Sequence, residues 1–126
     1  MINILKNILL SISFCLATLF PYSSYSTPTI DDVSLSKQCY ILAQQLREIK
    51  ESQKNASCTY KLYMSGIYVD ISGNKISEKQ YPNAMEYLND AIEFLIFAQK
   101  FNCERLAEVT EIKNELIQIR RQIRAK

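Results

Sequence analysis

The chain has 126 residues, of which 48% are hydrophobic and 22% charged, and its formal net charge is +2. This length supports one domain and leaves no room for a second core, and the apolar content is too high for a wholly disordered protein. The near-balanced charge argues against a nucleic-acid partner, and the absence of histidine removes the commonest general base and the commonest zinc ligand.

The first 26 residues have the composition of a cleaved signal peptide. Lys6 supplies a positive charge, and an apolar run of 13 residues follows at 8–20, which is shorter than a membrane span. Ser24 and Ser26 place small residues three and one positions before a cleavage site. An uncleaved membrane anchor is the alternative. We therefore expect an exported protein, periplasmic or secreted, whose mature chain at 27–126 is a single helical domain without stable membrane insertion.

The mature chain begins with a predicted helix at 31–53. Asp31 and Asp32 suit a helix N-terminus, where carboxylates interact favourably with the free amides. An apolar stripe at three- and four-residue spacing predicts the buried face of this helix. The stripe consists of Leu35, Cys39, Leu42, Leu46, Ile49 and Ala56. The polar segment KNAS at 54–57 predicts a turn, in which Ser57 can cap the next element.

The segment at 58–72 fits two structures. As a helix it ends at Gly73 and Asn74, and Gly66 would let a neighbouring helix approach closely. The face of this helix would carry Cys58, Leu62, Ser65 and Val69. The alternative is a β-hairpin, because the runs on both sides of Gly66 are rich in Tyr, Ile and Val. We favour the helix, since a lone hairpin is marginally stable and the chain has no further strand candidate to extend it.

Two more helices are predicted at 82–100 and 103–124, separated by Asn102. Pro82 suits the first turn of the third helix. The apolar stripes are Met85, Leu88, Ile92, Leu95 and Gln99 in the third helix, broadened by Ala84, Ala91, Phe94 and Ala98, and Leu106, Val109, Ile112, Leu116, Ile119 and Ile123 in the fourth. The predicted fold is therefore an all-α, four-helix, largely antiparallel bundle with short connections.

The topology also predicts how the cysteines pair. In an up-down-up-down bundle, Cys58 at the start of the second helix and Cys103 at the start of the fourth lie at the same pole, which favours a Cys58–Cys103 disulfide. Cys39 is expected to remain as a buried thiol on the core-facing stripe, although three reduced thiols or an exposed Cys39 joining two chains are alternatives. Three thiols without histidine make a poor zinc site, so neither a metal nor a cofactor is expected.

Five tyrosines crowd the middle of the chain, and tyrosine is enriched where proteins bind each other. The predicted partner surface consists of Tyr60, Tyr63, Tyr68, Tyr81 and Tyr87. Carboxylates at Glu86, Asp90 and Glu93 line one side of the third helix, but we interpret them as a solvated face and expect no catalytic residue. The basic tail at 113–126 is interpreted in the same way, because cations suit the last turns of a helix.

Two sequence features resemble a known family. The segment LSKQC, ending at Cys39, and the segment CTYKLYMSGIYVD, from Cys58 to Asp70, resemble small helical periplasmic immunity proteins of type VI secretion. This resemblance covers 35–71 and implies a protein that neutralises a cell-wall amidase or a related effector. A cysteine pair around a helical core, followed by a charged terminal helix, is also similar to the small acid-stress chaperones of the periplasm.

Three function classes follow from these features. The first is an exported binding protein that occludes another protein, such as a secreted effector, without chemistry of its own. The second is a periplasmic chaperone, adaptor or structural factor of an envelope system. An enzyme is disfavoured, because the sequence offers no convincing pair of a nucleophile and a base and no phosphate-binding glycine loop.

Overall fold

The computed structural model describes residues 30–126, which form four sequentially antiparallel α-helices. These are α1 (Asp32–Glu51), α2 (Ala56–Ser77), α3 (Tyr81–Lys100) and α4 (Leu106–Arg124). Within that range there is no strand, so the all-α prediction is confirmed and the hairpin alternative at 58–72 is wrong. None of these helices combines the length and apolar character that a membrane crossing requires. The predicted signal peptide lies outside the described residues.

The starts of α1 and α2 are fixed by side-chain caps. Asp31 caps α1, since its carboxylate accepts a hydrogen bond of 2.7 Å from the amide of Ser34. The cap of α2 is Asn55, whose side chain accepts from the Ser57 amide at 2.7 Å. The prediction that Ser57 caps this helix is therefore wrong, because the cap lies two residues earlier and Ser57 lies within the first turn. Ala56 was predicted to continue the buried stripe of α1, but it is the exposed first residue of α2.

The second helix continues past the predicted stop at Gly73 and Asn74 and ends at Ser77. Gly73 is buried inside the helix, and a Cβ atom placed on it would lie 3.1 Å from Cys39 Cβ and 2.7 Å from a ring carbon of Tyr40. Glycine occurs at this position because α1 approaches α2 closely, and its role is not to break the helix. The chain turns instead at Lys79, which adopts the left-handed conformation with φ 60°.

Small side chains of α2 allow its two neighbours to approach closely. Gly66 lets α1 approach, since a Cβ there would lie 3.6 Å from the Ala43 carbonyl oxygen. On the other side, the Ser65 hydroxyl donates to the Ala91 carbonyl at 3.1 Å, and buried Ser72 lies against Ala84. The α1–α2 and α2–α3 contacts are the most extensive in the bundle, and the α1–α4 contact is the smallest of those between neighbouring helices. This order makes α2 a central helix held on both flanks.

The cysteines and the core follow the predicted pattern. Cys58 and Cys103 form a disulfide with Cα atoms 5.6 Å apart, at the pole where α1 and α3 end. Cys39 is fully buried as a free thiol in the core, where desolvation raises its pKa to about 12. The predicted stripe of α3 is buried at Leu88, Ile92 and Leu95, and the flanking alanines Ala84, Ala91 and Ala98 are fully buried beside them.

Candidate partner-binding surface

The outer groove between α2 and α3 is lined by six aromatic side chains, which we call the aromatic surface. They are Tyr60 and Tyr68 of α2, Tyr87, Phe94 and Phe97 of α3, and Phe101, which directly follows α3. Tyr60 and Phe101 are each 54% exposed and Phe97 is 43% exposed, whereas the other three rings are half-buried. Monomeric proteins seldom expose large apolar side chains in one contiguous group, so this surface is the strongest candidate for a binding site.

Ring-to-ring contacts join the residues of the aromatic surface into two groups. The Tyr68 ring stacks on Phe94 with centroids 5.6 Å apart, and it contacts Tyr87 at 5.8 Å. Tyr60 meets Phe94 edge to face at 6.4 Å. The Phe97 and Phe101 rings stack at 6.3 Å, closer to the disulfide pole. Because these rings support one another in favourable geometries, they present a preformed surface to a partner.

A single ammonium group joins the two parts of the aromatic surface. Lys61 Nζ lies 5.4 Å from the Phe94 centroid and 4.6 Å from the Phe97 centroid, and 5.8 Å from the Tyr60 centroid. These distances are within the range of cation–π attraction. Lys61 therefore bridges the two groups of rings.

A pocket of about 300 Å³ opens on the α3 side of the aromatic surface. Its walls consist of Tyr68, Phe94 and Phe97 together with the carboxylates Asp90 and Glu93, and we call it the ring–carboxylate pocket. Across residues 30–126, neither carboxylate has an ion-pair partner or a side-chain hydrogen bond. The pocket thus combines ring faces with two carboxylates, and the ammonium groups of Lys61 and Lys100 lie 4.6 Å and 5.8 Å from the centroid of its Phe97 wall.

The five predicted tyrosines do not form one group. Three of them, Tyr60, Tyr68 and Tyr87, belong to the aromatic surface. Tyr63 lies one helical turn from Tyr60, on the side facing α1. There the Lys50 Nζ atom lies 5.1 Å from the centroid of the Tyr63 ring. The two rings border a shallow concavity of about 580 Å³, so Tyr63 extends the aromatic surface towards α1.

Tyr81 lies at the opposite pole and does not join the other tyrosines. Its hydroxyl donates a 2.6 Å hydrogen bond to Asp32, whose other carboxylate oxygen lies 2.9 Å from Lys126 Nζ. The hydroxyl bond and the Lys126 ammonium hold the pKa of Asp32 below its ordinary range, and the same carboxylate raises the pKa of Tyr81. Lys126 also donates to the Ile30 carbonyl at 3.1 Å, so this group ties the end of the chain to the start of α1.

The groove between α1 and α4 has the opposite character. It encloses about 280 Å³ and is lined by polar groups, most of them carboxylates, which we call the acidic groove. Its residues are Gln45, Glu48, Arg105, Glu108, Glu111, Ile112 and Glu115. Arg105 donates to Glu108 at 2.8 Å, and this bond holds the pKa of that carboxyl below its ordinary range. No group of three or more Cys, Asp or Glu side chains in the described part of the chain is placed to hold a metal ion.

The sequence analysis missed the three phenylalanines and Lys61. Phe94 was placed on the broadened buried face of the third helix, but it is half-buried and stacks in the outer groove. The spacing of Phe94, Phe97 and Phe101 by three and four residues is the signal that would have placed them on one side of α3. Comparisons of the chain with known protein families, with curated proteins and with solved structures found no match.

Proposed function

We propose that this protein is an exported, non-enzymatic binding protein that occludes another exported protein with its aromatic surface. The observation that carries the proposal is the group of exposed and half-buried rings that contact one another between α2 and α3. Burial of such rings by a partner removes apolar area from water at a low cost in conformational entropy. The resemblance to immunity proteins supports a secreted effector as the partner.

The proposed mechanism is steric. Three features make the surface rigid: the disulfide at the pole, the close helix contacts through Gly66 and Ser65, and the stacked rings themselves. A rigid surface loses little entropy on binding, which favours a tight, long-lived complex. Such a complex blocks the partner's active site by covering it, and the proposed inhibitor contributes no reacting group.

A periplasmic chaperone or adaptor is the second candidate function, and a separate observation favours it. The outer side of α1 exposes Val33 and Ile41, which are 78% and 50% accessible to solvent. Two separate apolar areas suit a protein that contacts unfolded clients over a broad surface. An inhibitor needs only one of these apolar areas. The two functions therefore differ in whether the exposed side chains of α1 contribute to binding.

Two matched surface variants test the proposal. The first replaces exposed rings of the aromatic surface, as Tyr60→Ser, Phe97→Ser and Phe101→Ser. The second replaces the apolar side chains of α1, as Val33→Ser and Ile41→Ser. The wild-type chain and both variants are used as bait to capture partners from the envelope fraction of the source cells. The products of the neighbouring genes are the first candidates. Each recovered partner is purified, and its affinity is measured by calorimetric titration.

We expect one folded partner that binds with a stoichiometry of one to one. The ring variant should lose about thirtyfold or more in affinity, as interface hot spots do, while the α1 variant binds like the wild type. Many unfolded partners, captured through both surfaces, would support the chaperone instead. Binding that survives in the ring variant and is lost in the α1 variant would contradict the proposal.

A further inference from the structure

We propose that one end of the bundle docks on a membrane surface of anionic phospholipids. This end, which we call the basic pole, lies opposite the disulfide, where α1 and α3 begin and α2 and α4 end. Its cations are Lys75, Lys79, Arg120, Arg121, Arg124 and Lys126. The inference goes beyond the proposed function, because it concerns a different part of the molecule and a lipid partner.

The cations of the basic pole are mostly free of carboxylates of the chain itself. Within residues 30–126, no Asp or Glu oxygen lies within ion-pair distance of Lys79, Arg121 or Arg124. Arg120 donates to the neutral amide oxygen of Asn89 at 2.9 Å. Arg121, Arg124 and Lys79 are also exposed to solvent. Four positive charges are therefore available to an anionic surface.

The carboxylates at the same pole do not neutralise these four cations. They are Asp31, Asp32 and Glu78. Asp32 pairs with Lys126 at 2.9 Å, and Glu78 pairs with Lys75 at 3.7 Å. Asp31 accepts the capping bond from the first turn of α1. Because two of the three carboxylates are already paired, the free charge of the pole is positive.

Exposed aliphatic side chains lie beside the cations. Val33, in the first turn of α1, has the largest exposed fraction of the large apolar side chains in residues 30–126, and Ile30 just before the helix is 42% exposed. The buried stripe of α1 starts only at Leu35, so neither side chain belongs to the core. In proteins that bind membrane surfaces, cations meet lipid phosphates while aliphatic groups enter the boundary between headgroups and acyl chains.

The course of the chain brings the same pole towards a membrane. The Ile30 carbonyl accepts from Lys126 at 3.1 Å, so the described chain enters the bundle at the basic pole. In the sequence the apolar run at 8–20 precedes Ile30, and the nine residues between them can span at most about 30 Å. In the precursor, the basic pole is therefore the end of the bundle that is tethered to the apolar run.

Docking at the basic pole leaves the aromatic surface accessible. Its most exposed rings, Tyr60, Phe97 and Phe101, lie towards the disulfide pole, near the start of α2 and the end of α3. The 20 residues of α3 rise by about 30 Å between the two poles. A membrane and a protein partner can therefore occupy opposite ends of the bundle at the same time.

The test is vesicle co-sedimentation of the full chain, purified as the cell processes it. One set of vesicles contains equal parts of phosphatidylglycerol and phosphatidylcholine, and the other contains phosphatidylcholine alone. The basic-pole variant is Arg121→Gln/Arg124→Gln. Its matched control is Lys54→Gln/Lys100→Gln, which removes the same charge from exposed positions near the disulfide pole.

Two further variants separate the apolar contributions. Val33→Ser removes the exposed aliphatic side chain of the basic pole, and the ring variant removes the exposed rings of the aromatic surface. Circular dichroism of every variant shows whether the helices are retained, and all the substituted positions are exposed. The purified protein partner is also titrated against the basic-pole variant.

We expect the wild type to bind the phosphatidylglycerol vesicles at least thirtyfold more tightly than the neutral ones, and less tightly as salt is added. Arg121→Gln/Arg124→Gln should weaken this binding about thirtyfold, because each cation near an anionic surface contributes a factor of about five. Val33→Ser should weaken it about threefold. The lysine control and the ring variant should bind these vesicles as the wild type does, and the basic-pole variant should bind the protein partner normally.

Five results would overturn the inference. They are equal binding to both kinds of vesicle, wild-type vesicle binding by the basic-pole variant, equal weakening by the lysine control, loss of vesicle binding in the ring variant, and displacement from vesicles by soluble glycerol phosphate at the same phosphate concentration. Loss of the protein partner in the basic-pole variant would also overturn it, because the pole would then be a protein contact.

Discussion

The α2–α3 groove and the acidic groove between α1 and α4 differ in both their surfaces and the contacts beneath them. The first exposes stacked rings above a close helix contact made by Ser65, Ser72 and two alanines. The second exposes carboxylates above the smallest contact between neighbouring helices. Since small side chains already hold α2 to α3, the large rings outside them are not needed to close the core.

This difference indicates where stability and binding reside in the molecule. The core depends on the disulfide, the leucine and isoleucine stripes, and the close approach of α1 and α3 to α2. The aromatic surface makes ring contacts mostly with itself and with Lys61. Substitutions should therefore separate into those that unfold the protein and those that abolish binding without unfolding it.

The largest effect is expected from the disulfide. Replacing both Cys58 and Cys103 by serine frees a loop with a sequence separation of 45 residues. In the chain-entropy account this lowers the free energy of unfolding by about 4 kcal/mol. Urea denaturation of the variant and of the reduced wild type measures it, and the two should agree. An unchanged unfolding midpoint in both would show that the disulfide does not support the fold.

Core and aromatic-surface substitutions give the next contrast. Leu88→Ala and Leu95→Ala should each lower the free energy of unfolding by about 2–5 kcal/mol, because both side chains are fully buried. Tyr60→Ser and Phe101→Ser should each lower it by less than about 1 kcal/mol, because both rings are more than half exposed. Thermal unfolding followed by circular dichroism compares the four variants. A loss at Phe101 as large as that at Leu88 would mean that the rings belong to the core.

The two glycines of α2 should respond in opposite directions to alanine. A Cβ at Gly66 meets its nearest neighbours at 3.6 Å, an ordinary contact, so Gly66→Ala should stabilise the helix by up to about 1 kcal/mol. A Cβ at Gly73 comes within 3.1 Å of the Cys39 Cβ and 2.7 Å of the Tyr40 ring, so Gly73→Ala should be destabilising despite the same gain in helix propensity. Equal stability of the two variants would refute the close α1–α2 approach.

The smallest expected effect is a change in how stability depends on pH in the acidic range. Asp32 has a lowered pKa in the folded state, so its carboxylate stabilises the fold above the ordinary aspartate pKa of about 3.9, and this contribution is lost as the pH falls through the lower folded value. Asp32→Asn should therefore be less stable than the wild type at pH 7 and pH 5, and the gap should be smaller at pH 3. Urea titrations at these three pH values measure it. A gap that stays constant down to pH 2 would show that the Tyr81 and Lys126 contacts contribute nothing.

Sequence periodicity was sufficient for three of the helices, and the helix was favoured at 58–72 because a lone hairpin there would be marginally stable. The stripes of α1, α3 and α4 repeat clearly, and once their order is known the pole shared by Cys58 and Cys103 follows from chain direction alone. The end of α2 could not be predicted in this way, because the role of Gly73 depends on Tyr40, which lies 33 residues earlier in the chain.

The aromatic surface was predicted only in part for a related reason. Tyrosine enrichment indicated the middle of the chain, but it could not separate Tyr81, which begins α3 at the far pole and donates a hydrogen bond to Asp32 there. Phe94 and Phe97 are apolar residues at helical spacing, and that pattern is the same for a core face and for a partner face. Only the packing of α3 against α2, through the serines and alanines, shows that these rings lie outside the core.

The most direct test of the central claim is an NMR footprint of the purified partner on the isotope-labelled chain. The account predicts that line broadening and shift changes concentrate on the aromatic surface, above all at Tyr60, Phe97 and Phe101, and on Asp90 and Glu93 of the adjoining pocket. It also predicts that signals from the acidic groove stay unchanged. A footprint centred on the acidic groove, with the aromatic surface unaffected, would contradict the account.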